Sequence, residues 1–298
     1  MHAMERLPEH VKGLLITGTG FLILTPDTLL VRLIATDQWT MVFWRGVLMM
    51  IALGAFLAVY YRGEAWARVR AIGWAGVAVA ASSGASPFLF IASLSHTSVA
   101  NTLVIVSASP LIAAIFGRMF LAETVPARTW AAIVITMGGI GVLVSGSPGG
   151  GTINGDIAAL ATAACMAGAW TIVRRARTIN MVPASALSGG LSALAVAPFA
   201  TPFALSGGQA GLMLLLGLFL LPAAFGLMTL GPRYIPAPEV ALILLLETVL
   251  GPLWVWLVID EEPSAHALVG GAVVISALIG HSILALRDER RTAGAPPL

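Results

Sequence analysis

The chain has 298 residues, of which 58% are hydrophobic and only 10% charged. A soluble domain carries about a quarter charged residues, so lipid must be the solvent for most of this surface and a water-soluble globular domain is excluded. The formal net charge of +2 marks topology rather than nucleic-acid binding, because the basic residues sort by membrane side. The single cysteine, Cys165, lies in an apolar run and can form no intrachain disulfide. The first apolar run is too long for a cleavable signal and lacks a small-residue cleavage site.

A membrane-crossing helix needs roughly 20 apolar residues. Apolar runs between charged or Gly/Pro breaks predict ten spans, at 12–34, 41–60, 71–93, 97–117, 128–146, 155–173, 184–204, 210–230, 235–257 and 265–286. The short connections make neighbouring helices antiparallel. With the N-terminus in the cytoplasm, every Lys and Arg except Arg32 and Arg45 falls on the inner side or in the tail. The positive-inside rule therefore favours ten spans with both termini inside. Trp39, Trp254 and Trp256 sit near outer span ends, and Tyr60, Tyr61, Trp66, Trp74, Trp130 and Tyr234 near inner ends, as an interfacial aromatic belt.

The two halves are internally similar. Val99-Ala100-Asn101 leading through Ser109-Pro110 to Glu123 corresponds to Ala237-Pro238-Glu239 leading through Glu247-Thr248 to Glu261. In that register Pro110 meets Thr248, Glu123 meets Glu261 and Ala132 meets Gly270. Five spans per copy is odd, so the second copy inserts upside down, an architecture recurrent among secondary transporters. Residues 1–148 and 149–288 form the two repeats, linked at Gly149-Gly150-Gly151, and 289–298 a disordered cytoplasmic tail.

These features resemble the drug/metabolite transporter superfamily in its EamA branch. The residues that carry the resemblance are Thr97-Ser98-Val99-Ala100, Ser109-Pro110-Leu111, Ala122-Glu123 and Asn154-Gly155-Asp156 with Trp170. Thr248 stands where the second repeat would carry a proline, with Pro252 displaced from it. Within the branch, the chain looks most similar to YddG-type exporters of aromatic and other neutral amino acids. The resemblance implies an all-α integral membrane fold of ten transmembrane helices, built from two inverted five-helix repeats around a central cavity. Helices 1, 3, 4, 6, 8 and 9 line that cavity, and helices 5 and 10 pack outside it. It also implies a multi-pass protein of the prokaryotic inner (plasma) membrane that acts as a monomer or weak homodimer.

Five prolines, Pro26, Pro87, Pro110, Pro222 and Pro252, fall inside spans 1, 3, 4, 8 and 9. Each lacks an N–H and frees the carbonyl four residues earlier, which in lipid must find another partner. They are candidate gating kinks, with plain packing kinks as the alternative. Asp27 and Glu247 are the deep acids, and Arg45 lies at a depth that lets it pair with Asp27 or snorkel outward. These three form a candidate proton or charge site.

Ser82, Ser83, Ser86 and Asn101 are candidate polar contacts to a zwitterionic substrate, and Phe90, Met166, Trp170 and Phe225 candidate apolar contacts. Glu247 is a candidate contact for its ammonium group. Such a mixture suits a small-molecule cavity of broad specificity. Gly138, Gly139 and Gly141 in span 5, with Gly270, Gly271 and Gly280 in span 10, predict close packing seams.

No phosphate loop, His-Glu-x-x-His pattern or zinc-type Cys pair occurs, so neither enzyme chemistry nor a cofactor is expected. His2, His10, His96, His266 and His281 read as interfacial or solvated. The expected function is alternating-access export of a small neutral amino acid or similar metabolite. Drugs, nucleosides or sugar derivatives are the alternative cargo. An integral-membrane enzyme acting on lipid is the rival of another class and would need clustered His, Asp or Cys at one interface.

Overall fold

A computed structural model describes residues 8–145, 152–260 and 262–293. Its regular structure is helical, with no strand among these residues. The helices are α1 (Glu9–Leu24), α2 (Asp27–Ile34), α3 (Gln38–Tyr61), α4 (Ala65–Ala71), α5 (Gly73–His96), α6 (Val99–Val106) and α7 (Ser109–Leu121). They continue with α8 (Ala127–Val144), α9 (Ile153–Arg175), α10 (Val182–Val196), α11 (Gly207–Leu215), α12 (Leu221–Leu230), α13 (Ala237–Ile259) and α14 (Ala265–Ala293).

Among the described residues, nine helical stretches are long and apolar enough to cross a bilayer. The predicted seventh span is present as α10, but it has only 15 residues. At 1.5 Å per residue it is about 22 Å long, short of the roughly 30 Å hydrocarbon core. Pro198 and Pro202 bound its C-terminal side, where the chain turns. Proline cannot continue the backbone ladder. The last helix also outruns its predicted end. Residues up to Ala293 are helical, past the predicted span end at 286. Gly149, Gly150, Gly151 and Glu261 lie outside the described residues.

Three of the five intramembrane prolines coincide with real interruptions. Thr25 and Pro26 separate α1 from α2, and Ser107 and Ala108 separate α6 from α7, which begins at Ser109-Pro110. Before Pro222, residues Leu216–Leu220 form a π-helical turn, with the Leu221 N–H bonded to the Leu216 carbonyl. The wider register accommodates the missing donor. Pro87 and Pro252 lie inside continuous helices. At the first break the carbonyl freed by Pro26, that of Leu22, is taken by the Thr25 hydroxyl at 2.9 Å.

Packing proceeds through pairs of helices. α3 lies against α10, α8 against α14, and α7 against α13. α5 packs on α9 much as α1 packs on α12. The α8–α14 seam runs through Gly139 and Gly270. A Cβ on Gly139 would stand 3.0 Å from the Gly270 carbonyl, and one on Gly270 would strike the Gly139 carbonyl and the Leu143 backbone. Gly271 closes on Val249, whereas Gly138, Gly141 and Gly280 face open space. The α3–α10 seam has the same design at Gly46 and Gly189, each with its Cβ position against the other's carbonyl. The largest core cluster gathers Phe21, Leu48, Ala113, Trp170, Met228 and Val240, which come from six different spans.

Candidate functional site

The break after Thr25 places the N-terminus of a half-helix, α2, inside the apolar bundle. Asp27 occupies its first turn, where unpaired N–H groups and the helix dipole favour an anion. The Arg45 Nη2 of α3 donates to Asp27 Oδ2 at 2.9 Å. The Asp27 side chain is 8% exposed and that of Arg45 25%, so the pair is withdrawn from water. The other carboxylate oxygen, Asp27 Oδ1, is buried without a hydrogen-bond partner among the described residues.

Glu247, midway along α13, is within electrostatic reach of both Asp27 and Arg45. One turn further, Gly251 lets Thr28 of α2 approach so closely that a Cβ there would meet the Thr28 hydroxyl at 2.5 Å. Trp254 Nε1 then donates to Thr25 Oγ1 at 2.9 Å. Trp254, expected only as an interfacial anchor, therefore also pins the helix break. Asp27 and Arg45 thus pair where α2 meets α3, with Glu247 of α13 near enough to act on both.

The remaining candidate residues fall into separate groups. Trp170 of α9 is buried and Phe225 of α12 half-buried in the same apolar cluster. The Trp170 Nε1 has no hydrogen-bond partner among the described residues. Met166 lies one turn before Trp170 and is half-buried. Ser82, Ser83 and Phe90 are half-buried along α5, which packs against α9. Ser86 is buried, and its hydroxyl already donates to the Ser82 carbonyl at 3.3 Å. Asn101 is drawn into a different structure, donating from Nδ2 to Thr97 Oγ1, which itself donates to Asp156 of α9 at 3.0 Å. That chain ties the α5–α6 turn to the start of α9.

Two groupings were missed by the sequence reading. Glu239, in the first turn of α13, is almost fully buried, and its Oε2 lies 2.7 Å from His10 Nε2 of α1. Its Oε1 lies 3.9 Å from His281 Nε2 of α14, and that nitrogen is 3.1 Å from the Thr129 hydroxyl of α8. His281 is thus a core residue at 6% exposure, not an interfacial one, and His10 is half-buried rather than solvated. The second grouping is the ion pair of Arg174 with Glu123 at 2.8 Å. No spacing motif signals either one, because the partners lie on different elements far apart in the chain.

With this geometry in place, the family model of EamA-like transporters matches residues 12–145 and again 153–283. The chain belongs to the EamA-like transporter family. No match was found among curated proteins. A solved structure, described only as a crystal structure of a protein, superposes with TM-score 0.80 at 18% identity, covering 94% of this chain and 99% of that one. Identity that low shows the fold alone. As an EamA-family member, the chain is a multi-pass membrane protein with the EamA unit repeated twice, and the family points to transport of small molecules rather than to enzyme chemistry.

Proposed function

We propose that this protein is an alternating-access exporter of small zwitterionic metabolites, with aromatic and other neutral amino acids as its first-choice cargo. Its setting is a prokaryotic plasma membrane, with ten spans, inverted repeats and both termini in the cytoplasm. The observation that carries the reading is the Asp27–Arg45–Glu247 group at the broken first span. A zwitterion needs an acceptor for its ammonium and a donor for its carboxylate. Asp27 Oδ1 is an unused acceptor, Glu247 is a second carboxylate, and Arg45 with the α2 N-terminus supplies donors. Trp170, Phe225, Met166 and Phe90 supply apolar surface for the side chain, and Ser82, Ser83 and Asn101 further polar contacts.

The pairing of helices supports the inverted repeat. Exchanging spans 1–5 for spans 6–10 turns α5–α9 packing into α1–α12 packing, and maps the α3–α10 and α8–α14 pairs onto themselves. The seventh span is then the short α10, enclosed by α3 and α5. Pro26, Pro110 and Pro222, which sit at interruptions, are the flexing points of the cycle, and Pro87 and Pro252 secondary bends. Cargo enters from the cytoplasm, the inner mouth closes, and the outer mouth opens. No bond is made or broken.

The test is uptake of radiolabelled Phe, Trp, Met and Thr by purified protein in liposomes, with and without a pH gradient. Saturable, mutually competing uptake that falls on Asp27→Asn or Glu247→Gln is the expected result. If folded, inserted protein moves none of them, the amino-acid reading is lost. Nucleosides, sugar derivatives and drug-like cations then become the cargo to assay.

A further inference from the structure

Glu239 is a carboxylate with a 3% exposed side chain, and a buried carboxylate is stable only if it is protonated or paired. Its partners come from three other spans. His10 of α1 is in contact with it, His281 of α14 stands behind, and Thr129 of α8 holds His281. Helix α1 belongs to the first repeat and α13 and α14 to the second, so the cluster bridges the repeats at the end of the bundle that carries both chain termini.

Two cavities border the Glu239 carboxylate. Glu239 lines a pocket of about 10 Å³, shared with Glu123, Pro126 and Thr129, room for about one water. It also lines a groove of about 230 Å³ between α1, α13 and α14, with Leu14, Leu246, Leu278 and His281.

We propose that His10, Glu239 and His281 form a proton-binding site, separate from Asp27–Arg45–Glu247, that clasps α1 to α13 and α14 when occupied and releases it when the proton leaves. With the proton on His10, the 2.7 Å contact is a charge-assisted hydrogen bond and Glu239 has its counterion. With His10 neutral, Glu239 loses its nearest counterion and keeps only the more distant charge of Arg128, and parting α1 from α13 to admit water stabilises it. The other charged groups are arranged around this switch. Arg128, at the start of α8, acts on His281 together with Glu239 and His10. Glu123 borders the small pocket and is held by Arg174, and Lys12 on α1 is engaged by Glu9 at 3.8 Å. The proposal takes from the carrier reading only its consequence, that the proton holds the cytoplasmic mouth shut.

The experiment is a distance measurement that needs no substrate. Spin labels are placed at Leu15 on α1 and Leu284 on α14, both about half exposed, in a Cys165→Ala background. Dipolar distances are recorded in liposomes at about pH 5.5 and about pH 8.5, either side of the ordinary histidine range. The expected result is one short distance at low pH, a second, longer population at high pH, and loss of that response in Glu239→Gln. His10→Asn, which leaves the carboxylate in place, is the second variant and is expected to give the long population at both pH values. A distance distribution that does not change with pH overturns the proposal, as does a pH response that survives in either variant. A failure to transport amino acids leaves this readout untouched.

Discussion

The Arg174 side chain, in the last turn of α9, donates from Nε to Glu123 Oε1 at 2.8 Å and from Nη1 to the carbonyls of Arg233 at 3.2 Å and Pro232 at 3.4 Å. One guanidinium therefore fastens the loop after α7, the end of α9 and the turn before α13. The planar fork of arginine holds Nε toward the carboxylate and Nη1 toward the two carbonyls in one fixed geometry. Arg174→Ala is expected to cost about 2 kcal/mol, and Arg174→Lys to recover part of it through the ion pair alone. Denaturant unfolding of the purified variants checks both. Equal stability of Ala and Lys variants would show that the fork geometry contributes nothing.

The Asp27–Arg45 pair lends itself to a double-mutant cycle. Removing Arg45 leaves a buried carboxylate uncompensated, which costs about 3–5 kcal/mol when burial is complete and less here because Arg45 is partly exposed. Arg45→Met alone is thus expected to destabilise strongly. Adding Asp27→Asn is expected to restore much of the loss. Additive effects of the two substitutions in thermal unfolding would mean that the pair carries no coupling.

The glycines separate into those that touch and those that do not. Gly270→Leu forces α14 away from the Gly139 carbonyl, and overpacking of that kind costs about 1–3 kcal/mol. Gly138→Leu, one residue from Gly139 but facing open space, is expected to be neutral or slightly stabilising, since glycine is a poor helix former. A comparison of their unfolding midpoints in detergent decides whether the α8–α14 seam is as tight as described.

Asp37, in the turn between α2 and α3, caps α3 by accepting the Thr40 N–H at 2.9 Å. Burial alone would raise its pKa. Hydrogen bonds from Thr40, Thr201 and the Trp39 backbone outweigh that and hold it below the usual 3.8. A lowered folded pKa means that the contribution is full above the unfolded value and is lost as pH falls through the folded value. Asp37→Ala is expected to cost about 1 kcal/mol at neutral pH. The gap between variant and parent should close as the pH is taken well below 3.8, and a gap that stays constant through acid would refute the cap.

Legibility in the sequence followed the range of each interaction. Pro26, Pro110 and Pro222 announced breaks because a missing N–H acts on its own helix, within four residues. The depth of Asp27 and Arg45 could be counted along neighbouring spans, which left pairing or outward snorkelling open, and the structure shows the pair. Ser86 and Asn101 are exceptions, because their bonds to Ser82 and Thr97 lie only four residues back, a local alternative open to any short polar side chain in a helix. His10, Glu239 and His281 read as span-end residues one at a time, and only their convergence makes a site.

Composition and hydropathy by themselves determined the membrane class and the helical fold, because the cost of exposing backbone and charge to lipid applies residue by residue, and residue correspondences between the halves carried the twofold repetition. Tertiary structure alone decided which polar groups meet. These helices are apolar nearly all round and carry no amphipathic stripe to fix their rotation. The rotation is set instead by close contacts such as Gly139 on Gly270 and Gly46 on Gly189, and those contacts turn Glu239 toward His10 and Trp254 toward Thr25.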